Sequence, residues 1–303
     1  MNTETPAPRR CVVVGGSGAV GGMITDLLVQ GGARVCVVDI LRPAASVAAQ
    51  QFTVADITQP CPEALDELAS ADLVVLAVSE PVALAAVPVV ANATGPDALL
   101  AETMSVKTPI ATAIRAAGIQ AVGLNPMFAP SLGMAGRPVV VVIHKDGPRV
   151  PGFLQVLSHG GAKLVTVDAW EHDRLTAVAQ ALTHTAILTF GLALGELEMD
   201  IEKLSSIAPP PHALMLALLA RIASGAPEVY WDIQDANPLA AQARRALGNA
   251  VRRLIEVTET GTATDFAATL RQLRAVLGPE LSRYRELCAQ TFGGMTSPAD
   301  STR

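Results

Sequence analysis

Aromatic residues make up only 3% of this chain of 303, and lysine occurs only at 107, 145, 163 and 203. Net charge is −6 and no basic run is present, so the chain lacks the cationic patch that would grip nucleic acid or an anionic membrane surface. No apolar run reaches about 18 residues, the length a spanning helix needs. Residues 1–10 lack the apolar segment of a secretory signal. The four cysteines, Cys11, Cys36, Cys61 and Cys288, show no C-x-x-C spacing and read as thiols of a reducing compartment. G-x-S-x-G, H-E-x-x-H and the P-loop are all missing, as is a carboxylate pair of obvious spacing, so hydrolase and metal chemistry find no support. The expectation is a cytoplasmic protein with a small-molecule partner, no nucleic acid, no membrane and no metal.

Hydrophobic residues are plentiful at 50%, enough for one large core or two ordinary ones. Near the start, VVVGGSGAVGG joins a β-branched run to a glycine turn and then to helical spacing. Gly16, Gly18 and Gly21 fit the G-x-G-x-x-G dinucleotide fingerprint, in which the first glycine permits the turn, the second admits a pyrophosphate and the third lets helix pack on strand. Ser17, Ala19 and Val20 complete the turn, and the phosphates would meet the unpaired N–H groups at the helix start. A second strand at 34–38 leads to Asp39, whose carboxylate can accept from both ribose hydroxyls of an adenosine and repels a 2′-phosphate, which favours NAD over NADP. Arg42, three residues on, is the feature that would instead suit a phosphate.

Buried-looking runs at 10–14, 34–38, 73–77, 99–101, 120–124 and 139–143 alternate with helical stretches, the signature of a parallel sheet covered on both faces. Such sheets bind ligands beyond their C-terminal strand ends. There the sequence places Val78 and Ser79, the segment 102–107 and the segment 125–130. A helix at 150–159 and a strand at 163–167 should finish this domain, so that residues 1–8 form a tail and 9–168 an NAD-binding Rossmann-type doubly wound unit. From Trp170 the texture becomes Ala/Leu-rich with helical periodicity, which predicts an all-helical domain over 169–291 and a tail over 292–303. Its helices are expected at 171–198, 211–224, 237–259 and 265–290. HALMLALLARIA at 212–223 is apolar nearly all round and must be covered on every side; a homodimer with interdigitating helices is expected, with burial inside one subunit as the alternative.

His172, Thr176, Gln180 and His184 follow one another at i+4 and predict one polar stripe on the long helix, with a ligand pocket as its counterpart. A satisfied core histidine is the competing reading for His184 and more so for His172. Arg221 is the sole charge in its apolar helix and needs an anion, either Glu196, Glu198 or Glu228, or a substrate carboxylate. Ser105 and Lys107 stand at the ligand edge of the sheet, Ser105 either as a contact to a substrate hydroxyl or amine or as a loop cap.

Four separated segments, GGSGAVGG, Ser105–Val106–Lys107, GLNPMFAP at 123–130 and the stretch at 170–196, together resemble the prephenate/arogenate dehydrogenases of tyrosine biosynthesis over residues 10–290. The resemblance implies a Rossmann domain, a helical dimerisation domain and NAD-dependent oxidative decarboxylation of a cyclohexadienyl carboxylate. Arg221 then matches the carboxylate-binding arginine, His184 a substrate-pocket histidine, Ser105 the serine at the C4 substituent, and Gln180 and Lys107 fall among the substrate-binding candidates. One departure stands out. The family pattern G-L-H-P-M-F-G-P has a histidine that accepts the C4 hydroxyl proton; here that position is Asn125, and Ala129 replaces a glycine. An amide takes no proton at neutral pH, and general-base help is commonly worth ~10²–10⁴-fold. A C4 amine needs no such base, because its lone pair expels hydride and loss of carbon dioxide then delivers a neutral aniline. The expected substrate is therefore 4-amino-4-deoxyprephenate, giving 4-aminophenylpyruvate, which leads to the antibiotic precursor 4-aminophenylalanine. The alternatives are a prephenate or arogenate dehydrogenase with a relay through water or His184, and an NAD-binding homologue without activity.

Overall fold

The computed structural model describes residues 7–42 and 48–295, and the chain divides between Leu175 and Thr176 into two compact units. The expected tails at 1–8 and 292–303 lie largely outside the described residues.

The first unit runs β1 (Arg10–Val14), α1 (Ala19–Gln30), β2 (Arg34–Asp39), β3 (Gln51–Val54), α2 (Pro62–Ala69), β4 (Leu73–Leu76), α3 (Glu80–Ala93), β5 (Leu99–Glu102), α4 (Thr108–Ala117), β6 (Gln120–Pro126), β7 (Pro138–Lys145), α5 (Val150–His159) and β8 (Lys163–Thr166), and it ends in α6 (Ala169–Thr176). The strands form one sheet in the order β3-β2-β1-β4-β5-β6-β7-β8. Every neighbouring pair is parallel except β6 and β7, which run antiparallel with Asn125 opposite Val140. Successive strand residues face opposite ways, and here both ways are apolar. Val13, Val37, Val75 and Val122 pack with Ile24 and Leu28 of α1 and Phe153 and Leu157 of α5. Val12, Val14, Val74 and Leu76 pack with Leu68, Val87, Val90, Ile110 and Ile114 of α2, α3 and α4. The sequence reading misses β3, a half-exposed edge strand whose polar Gln51 and Thr53 break the apolar signal. Because β1 pairs with β2 on one side and β4 on the other, a crevice opens at its carboxyl end.

The second unit contains a π-helical segment at Ala177–Leu182, then α7 (Thr183–Glu196), α8 (Ile201–Ser206), α9 (Pro210–Ala223), α10 (Pro227–Asp235), α11 (Ala240–Glu259), α12 (Ala263–Leu277) and α13 (Leu281–Gly293). The wide turn corrects the regular stripe expected along 172–184, since an i→i+5 turn shifts the helical phase of everything after it. Its freed carbonyl at Ala181 is taken up by the Thr185 hydroxyl at 2.7 Å and the Gln234 amide at 3.0 Å. The expected helix at 265–290 is broken by Gly278, at φ 53°, and Pro279, and α8 and α10 are additions. A capping box between Thr262 and Asp265 starts α12.

Helix α9 departs from expectation most. Of its residues only Ile222 is buried within the chain, and Arg221 is exposed, so the all-round burial read from its sequence is not supplied by one subunit. The continuous helix Ala169–Glu196, of 28 residues, is long and apolar enough by length and composition to cross a membrane, contrary to the expectation from apolar runs. Its first turns nonetheless carry Glu171, His172, Asp173 and Arg174, and His172 and Asp173 are buried in hydrogen bonds to protein. Beyond those turns only 17% of the apolar stretch is buried within the chain.

Candidate active site

The glycine turn after β1 is shaped by three close approaches. Gly15 has φ 77°, and a Cβ there would lie 2.2 Å from the Ala77 carbonyl oxygen; Gly15, not Gly16, is thus the residue that permits the turn. A Cβ on Gly16 would meet the Val37 side chain at 2.7 Å, and one on Gly21 the Gly15 carbonyl at 2.2 Å, which is the close helix–strand packing expected of the third glycine. Gly18 caps the start of α1 with extended backbone, leaving the first N–H groups of Ala19, Val20 and Gly21 unpaired within the helix. Asp39 closes the end of β2, accepting the Ser17 N–H at 3.0 Å on one oxygen and the Leu41 N–H at 3.3 Å on the other. Each oxygen keeps a lone pair for a sugar hydroxyl. The cleft beside it, about 310 Å³, is lined by Val14, Gly15, Asp39, Asp56, Val78 and Ser79 among others. A cradle that any Cβ would fill, a helix start and a carboxylate at the ribose position fit an adenine dinucleotide without a 2′-phosphate. Arg42, the cation that would favour that phosphate, lies over the Phe52 ring at 5.9 Å.

At the carboxyl ends of β5 and β6 the structure gathers a buried polar chain. Asn125 Nδ2 lies 3.0 Å from His172 Nε2, and His172 Nδ1 lies 2.8 Å from Asp173 Oδ1. Asp173 in turn accepts the backbone N–H groups of Lys107 at 2.7 Å and Thr108 at 2.9 Å and the Thr108 hydroxyl at 2.5 Å, so it caps α4 from a distant helix. Burial holds the His172 imidazole below its ordinary range; the Asp173 hydrogen bond opposes that and the Lys107 charge adds to it. Burial alone would raise Asp173, but its bonds to His172, Thr108 and the two backbone N–H groups hold the carboxyl low. A neutral ring beside a carboxylate is the result. Among the described residues nothing donates to the Asn125 carbonyl oxygen, and that atom is not sealed from solvent. Ser105, half-buried in the loop between β5 and α4, makes no hydrogen bond to the described residues, so it is not a loop cap.

Lys107 is corrected from a substrate-binding residue to a structural one. It is fully buried, and its ammonium reaches both Glu102 oxygens at 2.9 Å and the Leu124 carbonyl at 3.0 Å. Three donors are all an ammonium has, so none remains for a ligand. His144 completes the cluster at 2.8 Å from Glu102. Burial pushes Glu102 up, yet Lys107 and His144 overcome it and keep the carboxyl ionised. The Leu124 carbonyl held here immediately precedes Asn125.

In the helical unit, His184 stands edge-on to Tyr230 with ring centroids 5.3 Å apart. Its Nδ1 is buried without a hydrogen-bond partner, and burial, helped by the Arg221 charge, lowers its affinity for a proton. Arg221 forms no ion pair with Glu196, Glu198, Glu228 or any other described acid, which removes the internal salt bridge as the reason for its charge. Gln180 is half-buried on the π-helical turn and pairs with no described residue. Asp173 and Tyr230 are the residues sequence reasoning missed. The signal for the first was four consecutive polar residues, 171–174, opening an otherwise apolar helix.

Residues 168–272 match the family model for the dimerization domain of prephenate dehydrogenase. Over 285 residues the chain is 52% identical to a 4-amino-4-deoxyprephenate dehydrogenase of Streptomyces pristinaespiralis, covering 93% of this chain and 96% of that one. It is 28% identical to a T-protein of Enterobacter agglomerans over 94% of this chain and 72% of that one. Among solved structures it is similar to the prephenate dehydrogenase of Aquifex aeolicus, with a TM-score of 0.72 at 18% identity over 88% of this chain and 98% of that one. The arogenate dehydrogenase of Synechocystis gives a TM-score of 0.68 at 17% identity, over 90% and 99% of the two chains.

Proposed function

Since the chain belongs to the prephenate dehydrogenase family, we propose that it oxidatively decarboxylates 4-amino-4-deoxyprephenate to 4-aminophenylpyruvate, with NAD as hydride acceptor. The observation that carries the reading is the neutral amide of Asn125, with its nitrogen turned to His172 and its oxygen unclaimed, at the strand end where the family pattern has a proton-accepting ring. The 52% identity to an enzyme named for that reaction supports it.

The chemistry balances without a base. The C4–H bond leaves as hydride while the nitrogen lone pair forms a C=N bond. The C1–carboxylate bond then breaks, its electrons run through the ring to nitrogen, and carbon dioxide and an aniline result with no proton lost from nitrogen. Asn125 Oδ1 accepts an N–H of the C4 amine and Ser105 Oγ reaches the same substituent. Arg221 holds a substrate carboxylate, with His184 and Gln180 beside it; being exposed and unpaired, it loses no internal partner on doing so. The turn at Gly15–Gly21, Asp39, Val78 and Ser79 would hold NAD, which would supply the hydride acceptor. The enzyme works as a homodimer in the cytoplasm.

NADH formation measured side by side with the two substrates tests the assignment, and faster turnover of prephenate than of its C4-amino analogue would refute it. Replacing the amide by a base, Asn125→His, should raise prephenate turnover by about 10²-fold or more. No gain would show that proton removal is not what limits the alcohol.

A further inference from the structure

A primary amide has a donor end and an acceptor end of nearly the same shape, and at the end of a strand either can face a ligand. In this fold the choice is made from behind. We infer that Asp173 and His172 are positioning residues that set which end of the Asn125 amide meets the substrate. The inference rests on the reading of Asn125 given above.

One line of hydrogen bonds makes that choice. Asp173 is ionised and accepts only, and it is fixed by two backbone N–H groups and a hydroxyl at the start of α4. His172 Nδ1, 2.8 Å away, must therefore carry the ring's proton. In a neutral imidazole that leaves Nε2 as an acceptor, and at 3.0 Å it takes an N–H of Asn125. The amide nitrogen is thereby consumed and Oδ1 is turned outward as an acceptor. Exposures of 0% for His172, 1% for Asp173 and 5% for Asn125 put the whole line in a low-dielectric interior, where a mispaired lone pair is costly. The charges of Lys107 and Glu102 complete the setting. The site thus prefers a substrate that donates a hydrogen bond at C4, and the preference is written two residues away from the substrate.

The test is Asp173→Asn in the full-length enzyme, with histidine labelled by 15N. With its NH2 at the Oδ1 position the new amide donates to His172 Nδ1 and drives the ring proton to Nε2, while its oxygen keeps the Thr108 N–H and hydroxyl and the Lys107 N–H gives up its acceptor. The Asn125 amide must then flip. Wild-type enzyme should show the Nδ1–H form of His172 and the variant the Nε2–H form, with kcat for the C4-amino substrate about 10- to 100-fold lower and KM for NAD unchanged. His172→Gln, whose side-chain oxygen can still accept the Asn125 N–H, should recover most of kcat. A wild-type ring protonated on Nε2 overturns the inference, as does a tautomer switch that leaves kcat untouched. The wild-type spectrum needs neither a folded variant nor a substrate, so it decides the orientation even if the substrate assignment fails.

Discussion

The two units use similarly apolar sequence in opposite ways. In the first, the sheet puts alternate residues on two faces and helices cover both, so that residues such as Leu124, Phe153 and Ile114 are sealed inside one chain. In the second, the one cluster of buried apolar residues among those described is Ala181, Ile233 and Ala240, while Leu192, Trp231 and Val276 are 71%, 65% and 82% exposed. A layered α/β unit completes its own core; a set of helices whose apolar faces turn outward does not. The second unit leaves those faces uncovered within one chain, and it matches a domain named for dimerization. Charge follows the same division, since Lys107 and Glu102 are buried together in the first unit and Arg221 stands exposed and unpaired in the second.

Each unit holds one of the two tryptophans, Trp170 and Trp231, so Trp→Phe variants let each be followed separately. The largest contrast should come from Lys107→Met, which leaves the Glu102 carboxylate buried without its cation. Breaking a buried pair typically costs ~3–5 kcal/mol, and the loss should appear in the urea transition seen by Trp170. A transition within about 1 kcal/mol of wild type, the range of an exposed pair, would mean that the ammonium is not the structural anchor inferred from its three bonds.

Dilution is the next lever. If the helical unit is completed by a partner, its apparent stability should fall by about 1.4 kcal/mol of dimer for each tenfold dilution. The Trp231 transition should move with protein concentration and the Trp170 transition should not. Concentration-independent unfolding of both, with a monomeric mass by sedimentation, would remove the contrast.

Apart from the polar edge strand β3, the strands were legible in the sequence because β-branched runs flanked by glycine turns have few other uses, and the dinucleotide turn because strand, turn, helix and Asp39 fall in order. The direction of β7 was not, since an apolar run reads the same both ways. The π-helical turn at Ala177–Leu182 has neither glycine nor proline to mark it; a tertiary hydrogen bond from Gln234 and a local one from the Thr185 hydroxyl stabilise it. In the site, Asn125 was visible as a departure from a family pattern, but its orientation was not, because that depends on His172 and Asp173, some 47 residues away. Lys107 was misjudged for want of Glu102. A carboxylate at the end of the otherwise apolar strand LLAE was itself the sign that a buried cation had to be near.

The smallest effect separates the units by pH. Each contains a histidine held below its ordinary value of 6.5, His172 chiefly by burial with Lys107 adding to it, and His184 by burial with Arg221 adding to it. A group whose proton affinity drops on folding favours the unfolded chain once protons are available. Its stabilising share is whole above pH 6.5 and is lost as pH falls through the folded value. Glu102 and Asp173, held below 4.5 and 3.8, stay ionised between pH 7 and 5.5 and do not contribute there. In the second unit Asp232, raised by burial and by Asp235 and Glu228, works in the opposite sense. His184→Gln should flatten the Trp231 transition between pH 7 and 5.5 and leave the slope seen by Trp170 as it was. If both slopes flatten together, the two units unfold as one and the independence on which the comparison rests is lost.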